Sequence, residues 1–394
     1  MLSISDQILL IASKLTLQPN EVKDLNKLLP LLTDWNQFAH QAIRRGLAGL
    51  FYVKIPLLNH ANIIPASAKE LLEQTYFFIL NRNIIFQSHF QQVAQALQLA
   101  GIEVTALKGI LFCETLYHDL GLRQMSDIDL LIRAEQADQA VEILSNMGYD
   151  YETKNAISDF VSRKSDFVHR APMFKQGVSI ELHVKLHKSS EKFQLNLSDV
   201  FSQQQAVRLH GVEVFSMDIS HNLIHVALHA HKHFVEGNVQ FNSFADLVNL
   251  ILTLPADFDW LTFENICKKY KVEKIIFGYL LLVQKFYGIV LPSHIEQKYQ
   301  FTLTADIEQK FIHYLHGYKH ITKVNTAIPA HLSNLKLMNS PMDKLLYCKD
   351  LFFPPRKFML EKYAIKHANF YWLYYPYRYF SVLKGLREMR RKRT

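Results

Sequence analysis

Apolar residues recur along the chain with two different spacings, and the change from one to the other divides the sequence. Up to about residue 100 the spacing is helical, most clearly from Ser67 to Leu99, and Gly101 is a typical helix stop. Short alternating runs mixed with helical ones follow, and the helical spacing then returns. The pattern predicts an N-terminal helical region at 1–100, an α/β (α+β) core at 101–217, and a C-terminal helical domain with a basic tail at 218–394.

The composition supports this fold class. With 13 Gly and 12 Pro among 394 residues, tight turns are few, which favours helices over an all-β fold. Apolar residues make up 49% and charged residues 20%, as in a globular protein. The net charge of +8 favours an anionic partner such as a nucleotide, a nucleic acid or an anionic membrane surface.

Three features predict a cytoplasmic protein. The three cysteines are far apart and odd in number, which is typical of a reducing compartment. The N-terminus lacks the basic region and cleavage site of a signal peptide. No window offers about 18 uninterrupted apolar residues, so the sequence predicts no membrane-spanning helix.

An acidic pair interrupts one apolar run of the core. Asp127 and Asp129 stand two residues apart in the run 126–132 (SDIDLLI), so on a strand both point to the same side. Like charges beside buried apolar residues are costly unless a cation satisfies them. Oxygen ligands suit Mg²⁺ or Mn²⁺, and Mg²⁺ sites commonly take substrate phosphates as well. The alternative is that Asp129 points inward while Asp127 caps a turn.

A strand, a glycine turn and a helix precede this pair. Residues 102–107 (IEVTAL) predict a short strand, and Lys108-Gly109 opens a helical pattern that runs from Ile110 to Tyr117. The free N–H groups and positive dipole end of such a helix form a phosphate site. Lys108 adds a positive charge beside it.

Two further residues stand just ahead of the acidic strand. Arg123 is four residues before Asp127, where its guanidinium would reach a phosphate, pair with the carboxylates or form a surface salt bridge. Ser126 would cap the strand or donate a hydrogen bond to a phosphate. Both residues are therefore candidates for nucleotide binding.

The order strand, Lys-Gly, helix, Asp-x-Asp strand resembles the nucleotidyltransferase fold of the DNA polymerase β superfamily. That superfamily usually carries Gly-Ser or Gly-Gly at the turn and a shorter gap to the acidic pair. More narrowly, the chain resembles uncharacterised nucleotidyltransferase family 5, which shares the Lys-Gly turn and the longer gap. The resemblance rests on LKG at 107–109, GLRQMSDIDLL at 121–131, NMGY at 146–149 and IELH at 180–183.

A predicted hairpin supplies a further candidate carboxylate. Residues 166–175 and 178–186 flank Gln176-Gly177, which is typical of a glycine turn between two strands. Glu181 and His183 share one face of the second strand. The resemblance implies that Glu181 is the third carboxylate, which the superfamily draws from a strand beside the acidic one. The alternative is a half-exposed hairpin whose polar face is solvated.

The resemblance implies a polymerase β-like core with a small mixed sheet and a metal-dependent transfer reaction. A nucleoside monophosphate would move from a nucleoside triphosphate, ATP included, to a sugar, lipid, protein or RNA acceptor, with release of pyrophosphate. The implied catalytic and metal-binding residues are Asp127, Asp129 and Glu181. The implied nucleotide-binding residues are Lys108, Gly109, Arg123, Ser126 and His183.

A histidine-rich helix is predicted in the C-terminal region, starting at Asp218. It contains His221, His225, His229, His231 and His233. The i, i+4 spacing places His225, His229 and His233 along one stripe. We interpret this stripe as substrate-side lining or a hydrogen-bonded core, with zinc as an alternative. The resembled family carries a similar helix followed by an aspartate, here Asp246.

The C-terminal tail combines aromatic and basic residues. Aromatics are dense at 370–380, and 384–393 carries six basic residues against one acid. Such a tail would make weak contact with nucleic acid or an anionic membrane; the alternative is a packed final helix with a solvated basic end. Two other functions remain: a non-catalytic nucleotide- or RNA-binding protein on the same fold, and a peripheral membrane protein of cell-surface polysaccharide assembly.

Overall fold

The computed structural model places the described residues in two compact units. Described are residues 2–59, 61–151, 168–187, 193, 195–317, 340–354, 356, 359–360, 363, 365 and 368–379. The first unit comprises Met1–Arg133 and Glu191–Val324, and the second comprises Ala134–Ser190 and Asn325–Thr394. The chain therefore leaves the first unit after Arg133 and returns to it at Glu191.

Helices outnumber strands in the described part of the chain. The helices are α1 (Ile4–Ala12), α2 (Pro19–Leu28), α3 (Trp35–Arg44), α4 (Ala48–Tyr52), α5 (Ala66–Leu99), α6 (Lys108–Thr115), α7 (Ala137–Asn146), α8 (Leu197–Ser202), α9 (Ile219–Val235), α10 (Phe241–Leu252), α11 (Trp260–Lys269), α12 (Glu273–Tyr287), α13 (Ser293–Tyr299), α14 (Ala305–His316) and α15 (Pro341–Phe352). The strands are β1 (Thr105–Ala106), β2 (Ile128–Leu131), β3 (Asp150–Tyr151), β4 (Met173–Lys175), β5 (Val178–His183), β6 (Gln205–Leu209) and β7 (Val212–Ser216). The predicted α/β class is confirmed.

The longest helix, α5, follows the predicted pattern closely. It runs from Ala66 to Leu99, and Gly101 then adopts φ +73°, a conformation that suits glycine. Its buried stripe includes Phe86 and Phe90, which are at most 1% exposed. One amide, Asn83, stands within this apolar stripe and is 0% exposed. A buried amide needs hydrogen-bond partners, and those of Asn83 lie beside the candidate site.

Four strands of the first unit lie in the order β2, β1, β7, β6. Strand β1 is antiparallel to β2, with Thr105 opposite Leu131, and parallel to β7. Strands β6 and β7 form a hairpin, and both residues of its turn, His210 and Gly211, have positive φ. The sheet is therefore mixed, as predicted, and the two strands that carry the predicted turn and acidic pair are neighbours.

Helices from the two ends of the first unit pack together around Arg45, which follows α3. Its Nη2 lies 2.7 Å from Oδ1 of Asp6 in α1 and also donates to the carbonyl of Leu315 in α14. The guanidinium lies over the ring of Phe241 in α10, 5.3 Å from its centroid. The N-terminal helices thus share a core with helices from the C-terminal half. The three-part division drawn from the sequence stays a prediction.

The second unit contains the predicted hairpin. Strands β4 and β5 are antiparallel, and Gln176 and Gly177 between them adopt φ +51° and +81°, as a two-residue hairpin turn requires. The hairpin is confirmed, and both of its strands are shorter than predicted. Strand β3 pairs with β4 on its other side. Residues 166–167 of the predicted first arm lie outside the described residues.

The aromatic segment near the C-terminus is partly exposed where it is described. Phe370, Trp372 and Tyr377 are more than half exposed, at 54%, 55% and 61%. The basic run 384–393 lies outside the described residues. No helix in the described part of the chain combines the length and the apolar character that crossing a membrane requires.

Candidate active site

Strand pairing brings the Lys-Gly turn to the acidic strand. The N–H of Leu107 donates to the carbonyl of Asp129 at 3.1 Å, which continues the β1–β2 ladder by one residue. Lys108 follows at once, and its Nζ lies 3.1 Å from Oδ2 of Asp129. The two side chains are 13% and 5% exposed. The structure thus brings Lys108 and Asp129 together in a largely buried ion pair.

The backbone at Lys108 is unusual for a residue with a side chain. Its φ of +46° lies in the left-handed region, where a non-glycine residue is strained. Helix α6 begins there, and its N-cap residue Leu107 provides no side-chain hydrogen bond to the first turn. The first N–H groups and the positive dipole end are therefore available to an anion. Strain of this kind is common at binding sites.

Asp127 precedes β2 and is half-buried. Burial raises the pKa of Asp127, and the charge of Asp129 raises it further, while Lys108 and a hydrogen bond from the exposed Ser126 act in the opposite direction. The two carboxylates therefore repel each other, and Lys108 offsets part of this repulsion. A divalent cation with oxygen ligands fits this pair, because it would relieve the remaining repulsion.

Arg123 pairs with Asp246, and not with the carboxylates of the acidic strand. Its Nε and Nη2 lie 2.8 Å and 2.6 Å from the two carboxylate oxygens of Asp246 in α10. Both residues are buried, at 7% and 2% exposure, so the pair is not a surface salt bridge. Burial alone would lower the pKa of Arg123, but the charge and hydrogen bonds of Asp246 raise it above its ordinary value. Arg123 is therefore a fully charged, paired side chain.

Two residues of the histidine stripe border the site. The Nε2 atoms of His229 and His233 are 3.2 Å apart, and Nδ1 of His229 lies 3.3 Å from Oγ of Ser243. Desolvation lowers the pKa of His229 well below its ordinary value, and the charge of Lys108 adds to this. Desolvation, with Lys232 and Lys108, lowers the pKa of His233 to about 4. Both imidazoles are therefore neutral at pH 7, and both sense the charge of Lys108.

His221, at the start of the same helix, has a structural setting. Asp218 caps α9 by accepting from the N–H groups of Ser220 and His221, and it also contacts the His221 ring. Nε2 of His221 lies 2.9 Å from the hydroxyl of Tyr270, and His221 is 1% exposed. His221 therefore belongs to a hydrogen-bonded core, one of the two interpretations of the histidine helix.

Glu181 and His183 lie on β5 in the second unit, whereas Lys108 and the two aspartates belong to the first. Oε2 of Glu181 is 3.5 Å from Nε2 of His169 and 3.8 Å from Nε2 of His183. The Glu181 and His183 side chains are 19% and 5% exposed. His183 is therefore buried and Glu181 is half-buried, so neither side chain is fully solvated.

Asn83 is the residue near the site to which the sequence gave no role. Its Nδ2 donates to the carbonyls of Leu120 at 2.6 Å and Arg123 at 2.8 Å. One pattern in the sequence points to it: Asn83 interrupts the apolar stripe of α5 at a position between Ile79 and Phe86. A polar residue at such a position is buried and must bond to a neighbouring element.

Comparison with known proteins identifies the family to which the chain belongs. A family model described as uncharacterised nucleotidyltransferase matches residues 32–288, more than half of the chain. No curated protein and no solved structure shows a significant match. Nucleotidyltransferases bind a nucleotide substrate and generally use divalent metals, which suits an acidic pair beside an open helix N-terminus. The chain belongs to this family of uncharacterised nucleotidyltransferases.

Proposed function

We propose that this protein is a nucleotidyltransferase dependent on Mg²⁺ or Mn²⁺. It moves a nucleoside monophosphate from a nucleoside triphosphate, with ATP as one candidate, to a hydroxyl or phosphate acceptor. The acceptor oxygen forms a bond to the α-phosphorus, the bond from that phosphorus to the β-phosphate breaks, and pyrophosphate leaves. The proton of a hydroxyl acceptor passes to water.

The contact between Lys108 and Asp129 carries this proposal. It places an ammonium group, an open helix N-terminus and a carboxylate pair within one small region. The ammonium and the first-turn N–H groups of α6 would hold phosphate oxygens of the triphosphate. A purely structural ion pair does not need a strained lysine at a helix N-terminus.

Asp127 and Asp129 would hold the divalent ion; burial and the charge of Asp129, which both raise the pKa of Asp127, support this assignment. We propose Glu181 as the third carboxylate, because the DNA polymerase β superfamily, which the chain resembles, draws such an acid from a strand beside the acidic one. When bound, the metal would neutralise phosphate charge and activate the attacking oxygen. His183 and Ser126 would line the nucleotide site.

Calorimetric titration with each nucleoside triphosphate, with and without Mg²⁺, tests the proposal. The wild-type protein should bind at least one triphosphate in a metal-dependent manner, and Asp127→Asn/Asp129→Asn should abolish this dependence. Asp24→Asn is the matched control, because Asp24 is 52% exposed and pairs only with Lys27 among the contacts the structure gives it. Metal-independent binding by both the wild type and the double variant would reject the proposal.

A non-catalytic nucleotide-binding protein is the second candidate. It is favoured by the direct contact of Lys108 with Asp129, since an ammonium group already neutralises part of the acidic pair. An assay of pyrophosphate release from the triphosphate distinguishes the two functions. In this assay water takes the place of the acceptor. Metal-dependent binding with release supports the enzyme, whereas binding without release supports the second candidate.

A further inference from the structure

Buried groups hold both the side chain and the backbone carbonyl of Arg123. Its side chain makes two parallel hydrogen bonds to Asp246, and the hydroxyl of Tyr117 donates to the same carboxylate at 2.8 Å. Its backbone carbonyl accepts from Asn83 in α5. We call Asn83, Tyr117, Arg123 and Asp246 the Arg123 clamp. Asp246 lies in α10 and Asn83 in α5. The clamp therefore connects two helices that are far apart in the sequence to one loop residue.

The loop that the clamp holds is the long segment between α6 and β2. Asn83 donates to two carbonyls of this loop, those of Leu120 and Arg123. The hydroxyl of Tyr76, also in α5, lies 3.0 Å from both carboxylate oxygens of Asp119. Hydrogen bonds from α5 therefore hold this long segment at Asp119, Leu120 and Arg123, ahead of the acidic strand.

The guanidinium of Arg123 also packs against the Lys-Gly turn. A Cβ atom on Gly109 would lie 2.7 Å from Nη1 of Arg123 and 2.9 Å from Cγ of Met125. A side chain at position 109 would therefore force the turn or these neighbouring side chains to move. The position of Arg123 thus fixes the backbone of Gly109, and with it the neighbouring Lys108.

The charge of Arg123 is already matched. Asp246 is a full negative charge in bidentate contact, and a buried pair of this geometry leaves little attraction for a phosphate. Lys108, by contrast, makes a single contact and stands at the helix N-terminus. The two cations near the turn therefore have different tasks.

We propose that Arg123 is a positioning residue rather than a phosphate ligand: the Arg123 clamp uses it to hold the Lys108-Gly109 turn in place for nucleotidyl transfer. This inference rests on the proposed function, and it assigns a role in the site to Asn83, Tyr117 and Asp246.

The test replaces the clamp side chains with apolar groups in one protein, Tyr117→Phe/Arg123→Met/Asp246→Leu. Removing a whole buried ion pair is commonly tolerated, whereas removing one partner is not. We expect the triple variant to unfold near the wild-type midpoint, to bind nucleoside triphosphate within about threefold of the wild type, and to release pyrophosphate at least about tenfold more slowly. Hydrogen exchange across residues 108–126 should accelerate.

Arg123→Lys is the second variant, in case the triple variant does not fold. Lysine keeps the charge but loses the paired hydrogen bonds and the planar contact with Gly109. We expect triphosphate affinity to be retained, pyrophosphate release to fall at least about tenfold, and exchange across 108–126 to accelerate. A phosphate ligand would give the opposite result in the triple variant, with affinity lost more than about tenfold.

Several outcomes would overturn the proposal. Wild-type exchange and wild-type turnover in either folded variant would mean that the clamp is only structural. Loss of triphosphate affinity in the triple variant, with exchange unchanged, would make Arg123 a ligand. If the wild type binds no triphosphate, the proposed function fails, and the exchange data alone then decide the clamp: faster exchange supports it and unchanged exchange rejects it.

Discussion

Two buried ion pairs lie around the segment between α6 and β2, and they are built differently: one joins Arg123 of this segment to α10, and the other joins α6 to β2. Arg123 contacts Asp246 through two hydrogen bonds of 2.8 Å and 2.6 Å. Lys108 contacts Asp129 through one atom pair at 3.1 Å, and a second carboxylate, Asp127, stands two residues away. The first pair balances its charges, and the second leaves negative charge in excess.

The surroundings of each pair show what this difference means. The pKa of Arg123 is raised, so the pair is stable in its charged form. Around Lys108, the pKa of Asp127 is raised and the pKa values of His229 and His233 are lowered. Several groups there therefore have pKa values shifted from their ordinary ones. The balanced pair holds its neighbours in place, whereas groups with shifted pKa values beside an acidic pair are typical of a functional site.

Removing the cation from each pair gives the largest expected effect. Arg123→Met leaves Asp246 buried and charged, so we expect a loss of about 3–5 kcal/mol in the free energy of unfolding. Lys108→Met removes one contact, so we expect a loss of about 1–2 kcal/mol. Urea denaturation of both variants measures the two losses. Equal losses would remove the distinction between the pairs.

Lys54 extends the comparison to a buried cation whose ammonium contacts the carbonyl of Leu50. Burial lowers the pKa of Lys54 to about 8, so between about pH 8 and its unfolded value of 10.5 the unfolded chain binds more protons. Stability from this group therefore rises with pH across that window. Lys54→Met should remove this dependence and add up to about 3 kcal/mol at pH 7. Urea denaturation at pH 7, 9 and 10 checks both effects, and a variant that keeps the wild-type pH dependence contradicts them.

Asp129→Asn probes the unbalanced pair through function. We expect metal-dependent triphosphate binding and pyrophosphate release to fall more than about 100-fold, while the free energy of unfolding changes by about 1 kcal/mol at most. Calorimetry and urea denaturation measure the two quantities, with Asp24→Asn as the exposed control. A fully active Asp129→Asn protein would remove the basis of the proposed function.

Gly109→Ala tests the contact that joins the two pairs. The new Cβ would lie 2.7 Å from Arg123, so the clamp or the turn must move, at a cost of about 1–3 kcal/mol. Gly278→Ala is the matched control, because a Cβ there meets its neighbours at 3.5 Å and Gly278 lies within α12. The control should be neutral or stabilising by up to about 1 kcal/mol. Similar melting temperatures for both variants would show that the turn has room.

The sequence predicted the local elements of the site well. The strand, the Lys-Gly turn and the acidic strand occupy positions within a few residues of the predicted ones, because each is encoded by short-range periodicity and turn chemistry. The hairpin around Gln176-Gly177 was predicted for the same reason. The roles assigned to Asp127 and Asp129 stay predictions until metal binding is measured.

The sequence did not predict the long-range partners. Arg123 and Asp246 are 123 positions apart, and no periodicity relates a loop arginine to an aspartate on a later helix. Asn83 was missed because the pattern from Ser67 to Leu99 was used only to predict a helix, without regard to the polar residue that interrupts its apolar stripe. Its amide is buried in the core, where it donates hydrogen bonds to the loop between α6 and β2.

Cys113 gives the wild-type protein a built-in probe of the Arg123 clamp. Its thiol lies 3.8 Å from Nδ2 of Asn83 and 3.7 Å from the carbonyl of Arg123, and burial raises its pKa to about 12. Such a thiol does not react with alkylating reagents while the clamp is closed. The labelling rate of Cys113 therefore reports how often this region opens, with the half-buried Cys348 as an internal reference. If nucleotide binding tightens the turn, added triphosphate will slow the alkylation of Cys113 and leave that of Cys348 unchanged.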